Sequence, residues 1–298
     1  MKRDFLRLSD RSPDEHAALF RRAHELKAKR RLGQPVQTLV GRSLLLLFEK
    51  ASTRTRISFE AAMGQLGGQA ITLPTQDSQI ARGETLEDTA RVGSRYVDAI
   101  MFRTHGDDRM RAFAAAATVP VINGLTDGGH PVQILADLFT VEEKLGEVAG
   151  KTIAFVGDCA SNMARSFCEA APIFGFSLRL AAPEGYRPPA AELRGAAVTS
   201  DPQEAVAGAD VVITDVWTSM GQETESAARR KAFTGYIVDE KLIGRAGPHA
   251  IVLHCLPAHR GEEISAGVID GPRSAVFDEA ENRLHVQKAL LEHLILRR

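Results

Sequence analysis

The first half of the chain alternates short apolar runs with segments in which apolar residues recur every three or four positions. The apolar runs predict buried strands at 42–48, 69–73, 99–102 and 119–124. The segments between and after them predict helices at 54–67, 85–96, 110–117 and 130–146. Strands that alternate with helices favour a parallel sheet with right-handed crossovers.

A second alternation of the same kind begins after Gly146. It predicts a helix at 163–174, a closing helix from about 279 to 296, and strands at 152–158, 177–183, 196–200, 209–215 and 250–258. We therefore predict an α/β protein of two similar domains, each a parallel sheet flanked by helices, with the active site in the crevice between them. The expected domains are 1–146 and 147–278, with residues 279–298 forming a helix that packs back on the first.

Composition limits the partners that the chain can have. Its 298 residues suffice for two domains, and 37 basic residues against 38 acidic ones give a formal net charge of −1. That balance gives no overall attraction to nucleic acid or to an anionic membrane surface. The longest apolar run is far shorter than the roughly 20 residues that cross a bilayer. Three cysteines without paired spacing fit a reducing cytoplasm, so we expect a cytoplasmic protein without nucleic-acid or membrane partners.

The segment STRTR, residues 52–56, concentrates groups that bind anions. It lies between a predicted strand and a predicted helix, where free backbone N–H groups and the positive end of the helix dipole gather. Its hydroxyls add donors, and the guanidinium groups of Arg54 and Arg56 match phosphate oxygens. The alternative is a capped helix with two surface arginines, but a cap needs only one hydroxyl. The segment therefore predicts a phosphate site, although the chain has no P-loop motif.

Other polar residues follow predicted strands in both halves of the chain. Arg103 ends one strand of the first half, and His130 and Gln133 begin the helix that follows another. Three strands of the second half are followed by Asn162, Asp215 and Cys255. Ligands of open parallel sheets bind outside the carboxyl ends of the strands, so we expect these groups to converge. Taken singly, each has a simpler interpretation, such as a surface ion pair, a cap or a buried inert thiol.

Two further interpretations of the second half are weaker. His254, Cys255 and His259 resemble part of a zinc site, but the segment lacks a second pair of ligands. A nucleotide-dependent dehydrogenase would need a GxGxxG motif after its first strand, and the chain has none. We therefore expect no metal and no cofactor.

Five segments together resemble the ornithine carbamoyltransferases, from about residue 4 to the end of the chain and in the same order. They are STRTR at 52–56, FRTH at 102–105, HPVQ at 130–133, DVWTSMGQE at 215–223 and HCLPAHRGEE at 254–263. The first and third mark the wider carbamoyltransferase family, which includes aspartate enzymes. The SMG and HCLP parts point to ornithine.

The resemblance implies transfer of the carbamoyl group of carbamoyl phosphate to the side-chain amine of L-ornithine, which gives L-citrulline and phosphate, in arginine biosynthesis. The residues it implies for carbamoyl phosphate are Ser52, Thr53, Arg54, Thr55, Arg103, His130, Gln133, Cys255, Leu256 and Arg283. Those for ornithine are Asn162, Asp215, Ser219 and Met220. The resemblance also implies a homotrimer in which Gln79 reaches the carbamoyl phosphate of an adjacent subunit.

Two positions depart from the family pattern. Val132 stands where a cysteine is often found, and helical spacing points it away from His130 and Gln133, so we expect little effect. Ser161 replaces the residue that pairs with Asn162, which bears on the fit around the amino acid's α-amino and carboxylate groups. Two alternatives stay open: a transferase for another amine, such as putrescine or an acylated ornithine, and a non-catalytic homologue that binds carbamoyl phosphate.

The chemistry expected of this family assigns catalytic roles to Arg103, His130, Asp215 and Cys255. An amine like that of lysine has a pKa of about 10.4, so only about one molecule in a thousand is neutral at about pH 7.4. Asp215 and Cys255 are expected to orient the amine and help to take its proton. Asp215 is the stronger candidate because a thiol must first be tuned to act as a base.

Overall fold

The structure, a computed structural model, describes residues 2–218 and 223–296. Contacts divide it into one unit of Met1–Leu135 with Glu281–Arg298 and a second of Ala136–Ala280. This division falls inside the helix Pro131–Leu145, whereas the first predicted domain ends at 146. The predicted domain boundaries stay a prediction.

Nine strands occur in the described residues, and every pairing between them is parallel. They are β1 Ser43–Phe48, β2 Gln69–Pro74, β3 Ala99–Arg103, β4 Val121–Leu125, β5 Thr152–Val156, β6 Ser177–Ala181, β7 Ala197–Thr199, β8 Val211–Thr214 and β9 Ile251–His254. All nine were predicted, with ends that differ by a few residues.

Eleven α-helices lie in the same part of the chain. They are α1 Pro13–Arg31, α2 Thr53–Gln65, α3 Leu86–Gly93, α4 Asp107–Ala116, α5 Pro131–Leu145, α6 Asn162–Phe174, α7 Pro202–Val206, α8 Ser226–Ala232, α9 Glu240–Ile243, α10 Ala266–Ile269 and α11 Val276–Ile295. The short helices α7 to α10 were not predicted because four to seven residues are too few to reveal a helical period. The segment between β2 and α3 contains two short 3-10 turns, Thr75–Asp77 and Gln79–Arg82.

The first unit is built on a sheet of order β2-β1-β3-β4. Leu44, Leu46 and Leu47 of β1 are fully buried and Leu45 is nearly so, as expected for a strand covered on both faces. One face of α2 packs inward, since Phe59, Ala62 and Met63 are fully buried, as is Leu66 at its C-terminal end. In register, Phe48 at the end of β1 lies beside Arg103 at the end of β3, which brings their carboxyl ends to one edge.

The second unit is built on a sheet of order β7-β6-β5-β8-β9. Its core includes Val156 and Val212 from the sheet with Trp217, Phe233 and Tyr236 beside it. Val156 of β5 is paired with Thr214 of β8, and Thr214 with His254 of β9. The residues that follow these three strands therefore leave the same edge of the sheet. Among the described residues, no helix combines the length and the apolar character needed to cross a bilayer.

Candidate active site

The N-terminus of α2 carries the STRTR segment. Ser52 is the N-cap, and its hydroxyl accepts a hydrogen bond from the Thr55 backbone N–H at 3.4 Å. Thr55 is buried, Arg54 is half-buried and Thr53 is exposed. Arg56 points elsewhere, because its guanidinium pairs with Glu60 on the exposed side of the helix at 3.0 Å. The segment thus supplies one arginine beside the helix N-terminus rather than the two that the sequence suggested.

A buried arginine from the last helix joins this turn to α5. Arg283 of α11 is 3% exposed, and its guanidinium donates to the hydroxyl of Thr55 at 2.6 Å. It also donates to the side-chain oxygen of Gln133, in the first turn of α5. Three residues from distant parts of the chain, all predicted site residues, are therefore in direct contact within the first unit.

His130 and Arg103 lie at the same edge of the first sheet. Arg103 ends β3, and His130 immediately precedes α5; both are buried. Burial lowers the pKa of His130 well below its ordinary value, and the charges of Arg283 and Arg103 lower that pKa further. The imidazole is therefore neutral at physiological pH and close to two guanidinium groups, which together make this edge suitable for an anion.

Gln79 is exposed and begins the 3-10 turn Gln79–Arg82. Val132, where the chain departs from the family pattern, is fully buried, so its side chain is part of the protein core.

In the second unit, Asp215 and Cys255 meet at the ends of adjacent strands. Because Thr214 and His254 are paired in register, the next residue of each strand projects at the same level. The thiol of Cys255 donates to Oδ1 of Asp215 at 3.2 Å. Burial raises the pKa of both groups, and the negative charge of Asp215 raises that of Cys255 further. Cys255 is thus held as a thiol, while the carboxyl group of Asp215 holds a proton more readily than usual.

Asn162 follows β5, which lies beside β8 in the second sheet. It is the first residue of α6, and its neighbour Ser161 caps the helix by accepting from the Ala164 backbone N–H at 3.3 Å. Ser161, the second departure from the family pattern, therefore satisfies a helix terminus. The strand order β5-β8-β9 places Asn162, Asp215 and Cys255 at successive strand ends.

The turn after β9 is held by a network around His254. The Leu256 backbone N–H donates to Nδ1 of His254 at 2.9 Å, so Nε2 is the nitrogen that donates to Glu263, at 3.1 Å. Leu256 has a φ of 58°, in the left-handed region that costs a non-glycine residue free energy. The possible metal-ligand atoms of Asp215, His254 and Cys255 lie within 4.8 Å of one another. His259 lies outside that group and forms a separate one with Glu262 and Glu263.

Comparison with known families identifies this arrangement. The profile of the aspartate/ornithine carbamoyltransferase carbamoyl-P binding domain matches residues 3–143, and that of the Asp/Orn binding domain matches residues 149–294. The chain belongs to the aspartate/ornithine carbamoyltransferase family. The membership predicted from the five motifs is confirmed, as is the prediction of two parallel-sheet domains and of an enzyme of the ornithine carbamoyltransferase type.

Curated relatives within the carbamoyltransferase family carry the ornithine name. Ornithine carbamoyltransferase of Sorangium cellulosum is 54% identical over 306 residues, covering 99% of this chain and 98% of the relative. That of Chromobacterium violaceum is 54% identical over 299 residues, covering 99% and 97%. Among solved structures, ornithine carbamoyltransferase from Pyrococcus furiosus has a TM-score of 0.93 at 47% identity, covering 99% of this chain and 97% of the other. The enzyme from Burkholderia thailandensis has a TM-score of 0.91 at 48% identity, covering 99% of both.

Two predicted ornithine residues of this carbamoyltransferase, Ser219 and Met220, lie outside the described residues. Other residues were missed by the sequence analysis. Glu279 of α11 is 1% exposed and accepts from the His254 backbone N–H at 2.8 Å, so it fixes the turn that carries Cys255. Its spacing of four residues from Arg283 was the available signal, because both lie on one face of the closing helix.

Proposed function

We propose that this chain transfers the carbamoyl group of carbamoyl phosphate to the side-chain amine of L-ornithine, giving L-citrulline and phosphate. The observation that carries the proposal is the hydrogen bond from the Cys255 thiol to Oδ1 of Asp215, 3.2 Å long, at the ends of adjacent strands. A primary amine must lose a proton in this reaction, and a carboxylate beside a thiol suits that step. Relatives about half identical to the chain and named for ornithine support the choice of amine.

Carbamoyl phosphate is assigned mainly to residues of the first unit. Arg54 and the N-terminal turn of α2, with Ser52, Thr53 and Thr55, would hold the phosphate, because helix N-termini and guanidinium groups both favour anions. Arg283 and Gln133 would complete the ligand set, since Arg283 already donates to both Gln133 and Thr55. Leu256 and Cys255, which belong to the second unit, are also assigned to carbamoyl phosphate.

Arg103 and His130 are assigned to the carbonyl oxygen. Negative charge develops there as the amine attacks, and each well-placed donor contributes roughly 3 to 4 kcal/mol in known oxyanion holes. His130 would act as a neutral donor, because burial and the adjacent arginines lower its pKa. The phosphate would then leave with its charge already neutralised by Arg54.

Ornithine is assigned to residues of the second unit. Asp215 would pair with the side-chain ammonium and accept its proton, and Cys255 would orient the amine by hydrogen bonding. Asn162, together with Ser219 and Met220, would bind the α-amino and carboxylate groups. Because burial raises the pKa of Asp215, its carboxylate is a stronger base than an exposed one.

The test is the rate of product formation with matched amines. Purified chain is given carbamoyl phosphate with ornithine, putrescine or N-acetylornithine at equal concentrations, and each carbamoylated product is quantified by mass spectrometry. We expect kcat/KM to be highest for ornithine. Preferential turnover of putrescine or N-acetylornithine would overturn the substrate assignment. Binding of carbamoyl phosphate without any product would instead identify a non-catalytic homologue.

The assembly, compartment and pathway are proposed on separate grounds. A homotrimer in which Gln79 enters an adjacent subunit's site is supported by the exposure of Gln79 and of the apolar Ile57 and Ile71. Three free cysteines support a reducing cytoplasm. A role in arginine biosynthesis is supported by a structural relative from Campylobacter jejuni, 41% identical and described as anabolic.

A further inference from the structure

A buried ion pair joins two strand-end turns of the second unit. Arg229 of α8 is 7% exposed and Asp158 is 6% exposed. One terminal nitrogen of the Arg229 guanidinium donates to Oδ2 of Asp158 at 2.8 Å and to the backbone carbonyl of Trp217 at 3.0 Å. Asp158 lies in the turn after β5, and Trp217 in the turn after β8. One guanidinium therefore connects both turns.

Each of these turns carries a residue that we assign to ornithine. Asn162 begins α6 four positions after Asp158, and Asp215 precedes Trp217 by two positions. The other oxygen of Asp158 accepts from the Ala160 backbone N–H at 3.0 Å, which fixes the path of the chain toward α6. Arg229 is therefore bonded to the Asp158 carboxylate in one turn and to the Trp217 carbonyl in the other. The separation of these turns determines the distance between Asn162 and Asp215.

The surroundings of Arg229 restrict its orientation. Its Nε donates to Glu225 at 3.1 Å, and its guanidinium carbon lies 5.1 Å from the centre of the Tyr186 ring. The Trp217 ring in turn stacks on Phe233, with centroids 5.5 Å apart and planes inclined by 14°. A planar guanidinium can stack on a ring while it donates in several directions, and a lysine ammonium cannot.

We propose that Arg229 is a positioning residue for ornithine, which sets the spacing of the two turns that carry Asn162 and Asp215. This inference rests on the proposed function and extends it to a residue that makes no assigned contact with either substrate. It predicts an effect mainly on ornithine, because the residues assigned to carbamoyl phosphate belong to the first unit, apart from Cys255 and Leu256.

The experiment compares Arg229→Lys with Arg230→Lys. Arg229→Lys keeps a positive charge beside the buried Asp158, which limits loss of stability. Arg230 is its sequence neighbour, with a side chain 56% exposed, and serves as the matched control. We expect Arg229→Lys to raise the KM for ornithine about tenfold, a usual size for coupling within one hydrogen-bond network. The Kd for carbamoyl phosphate, measured by calorimetry, should stay within about twofold of wild type.

A second variant, Asp158→Asn, removes the carboxylate that Arg229 pairs with and should also raise the KM for ornithine. Circular dichroism checks that each variant is folded; partial unfolding lowers the amount of active enzyme, and hence apparent kcat, without raising KM. An unchanged KM for ornithine in both variants, or an equal rise for both substrates, overturns the positioning role. Wild-type protein that forms no citrulline overturns the proposed function and this inference together, whereas active wild type with unaffected variants overturns the inference alone.

Discussion

The carboxyl group of Asp215 lies where its charge is disfavoured. Burial raises its pKa above the ordinary value, although its Oδ1 accepts hydrogen bonds from the Cys255 thiol at 3.2 Å and from the Val216 backbone N–H at 2.8 Å. An incoming ammonium group would favour the ionised form, since an opposite charge nearby stabilises it. Binding of the amine and ionisation of this residue are therefore expected to be coupled.

Asp215→Asn should abolish that coupling while it preserves size and shape. We expect kcat to fall about 100-fold or more, the usual contribution of a general base. The affinity for carbamoyl phosphate, measured by calorimetry, should not change. Asp108→Asn is the control, because that side chain is 96% exposed. Turnover near the wild-type rate in Asp215→Asn would remove the residue from amine activation.

The same assignment gives a pH dependence with a definite sign. Protonated Asp215 cannot accept the amine's proton, so kcat/KM for ornithine should fall as pH decreases through the pKa of Asp215. Because burial raises that pKa, the fall should begin at a higher pH than for an exposed aspartate. The acid limb should be missing from the profile of Asp215→Asn, and its persistence would assign the limb to another group.

At the scale of the element, α1 shows how local chemistry fixes a helix end. The Ser12 hydroxyl accepts from the Glu15 backbone N–H at 3.3 Å, and the Glu15 carboxylate accepts from the Ser12 backbone N–H at 2.9 Å, with Pro13 as the first helical residue. These are the reciprocal bonds of a capping box. Glu15 also pairs with Arg3, which ties the chain before the helix to its first turn.

This capping box gives a stability prediction that depends on pH. The backbone N–H of Ser12, together with Arg3, lowers the pKa of Glu15 to about 2 against the opposing effect of burial. A lowered folded-state pKa contributes stability above the unfolded value of 4.5, and that stability is lost as pH falls toward about 2. Glu15→Gln should therefore reduce the free energy of unfolding by about 1 kcal/mol at pH 7.

Denaturant titrations at several pH values measure this difference. The gap between wild type and Glu15→Gln should narrow steadily below about pH 4.5. Glu25→Gln is the control within the same helix, because its side chain is 59% exposed and its pairing with Arg22 is a surface contact. A gap that stays constant from pH 7 to pH 3 would show that the charge of Glu15 contributes nothing.

At the scale of the whole molecule, periodic patterns predicted both sheets because the strands contain short apolar runs, most of them separated by helical segments. They also predicted that Arg103, Asn162, Asp215 and Cys255 follow strands, and parallel pairing within each sheet then brings the strand ends of that sheet to one of its edges. The patterns could not reveal contacts between residues far apart in the chain. Arg283 meets Gln133 across 150 positions, and Arg229 meets Asp158 across 71.

Local spacing also failed to separate the two arginines of STRTR. Arg54 and Arg56 have the same chemistry, but a rotation of about 100° per residue puts them on different sides of α2. Only the position of Glu60, one turn further along, shows that Arg56 is engaged on the outer face. Family resemblance identified Arg283, which no strand end or motif would have indicated.

The proposed trimer makes a prediction about the molecule as an assembly. If each site combines one subunit's own residues with Gln79 of the next, Gln79→Ala inactivates the site of the adjacent subunit. Asp215→Asn instead inactivates the site of the subunit that carries it. Subunits of the two variants, mixed and reassembled, would then form some sites that carry neither change. Random reassembly should restore at most about a quarter of wild-type activity, because the contact repeats around a closed ring. Native mass spectrometry verifies the mixed trimers, and reassembly of each variant alone is the control. Mixed trimers that recover no activity would mean that Gln79 serves the site of its own subunit, whereas a Gln79→Ala variant that is fully active alone would mean that Gln79 serves no site.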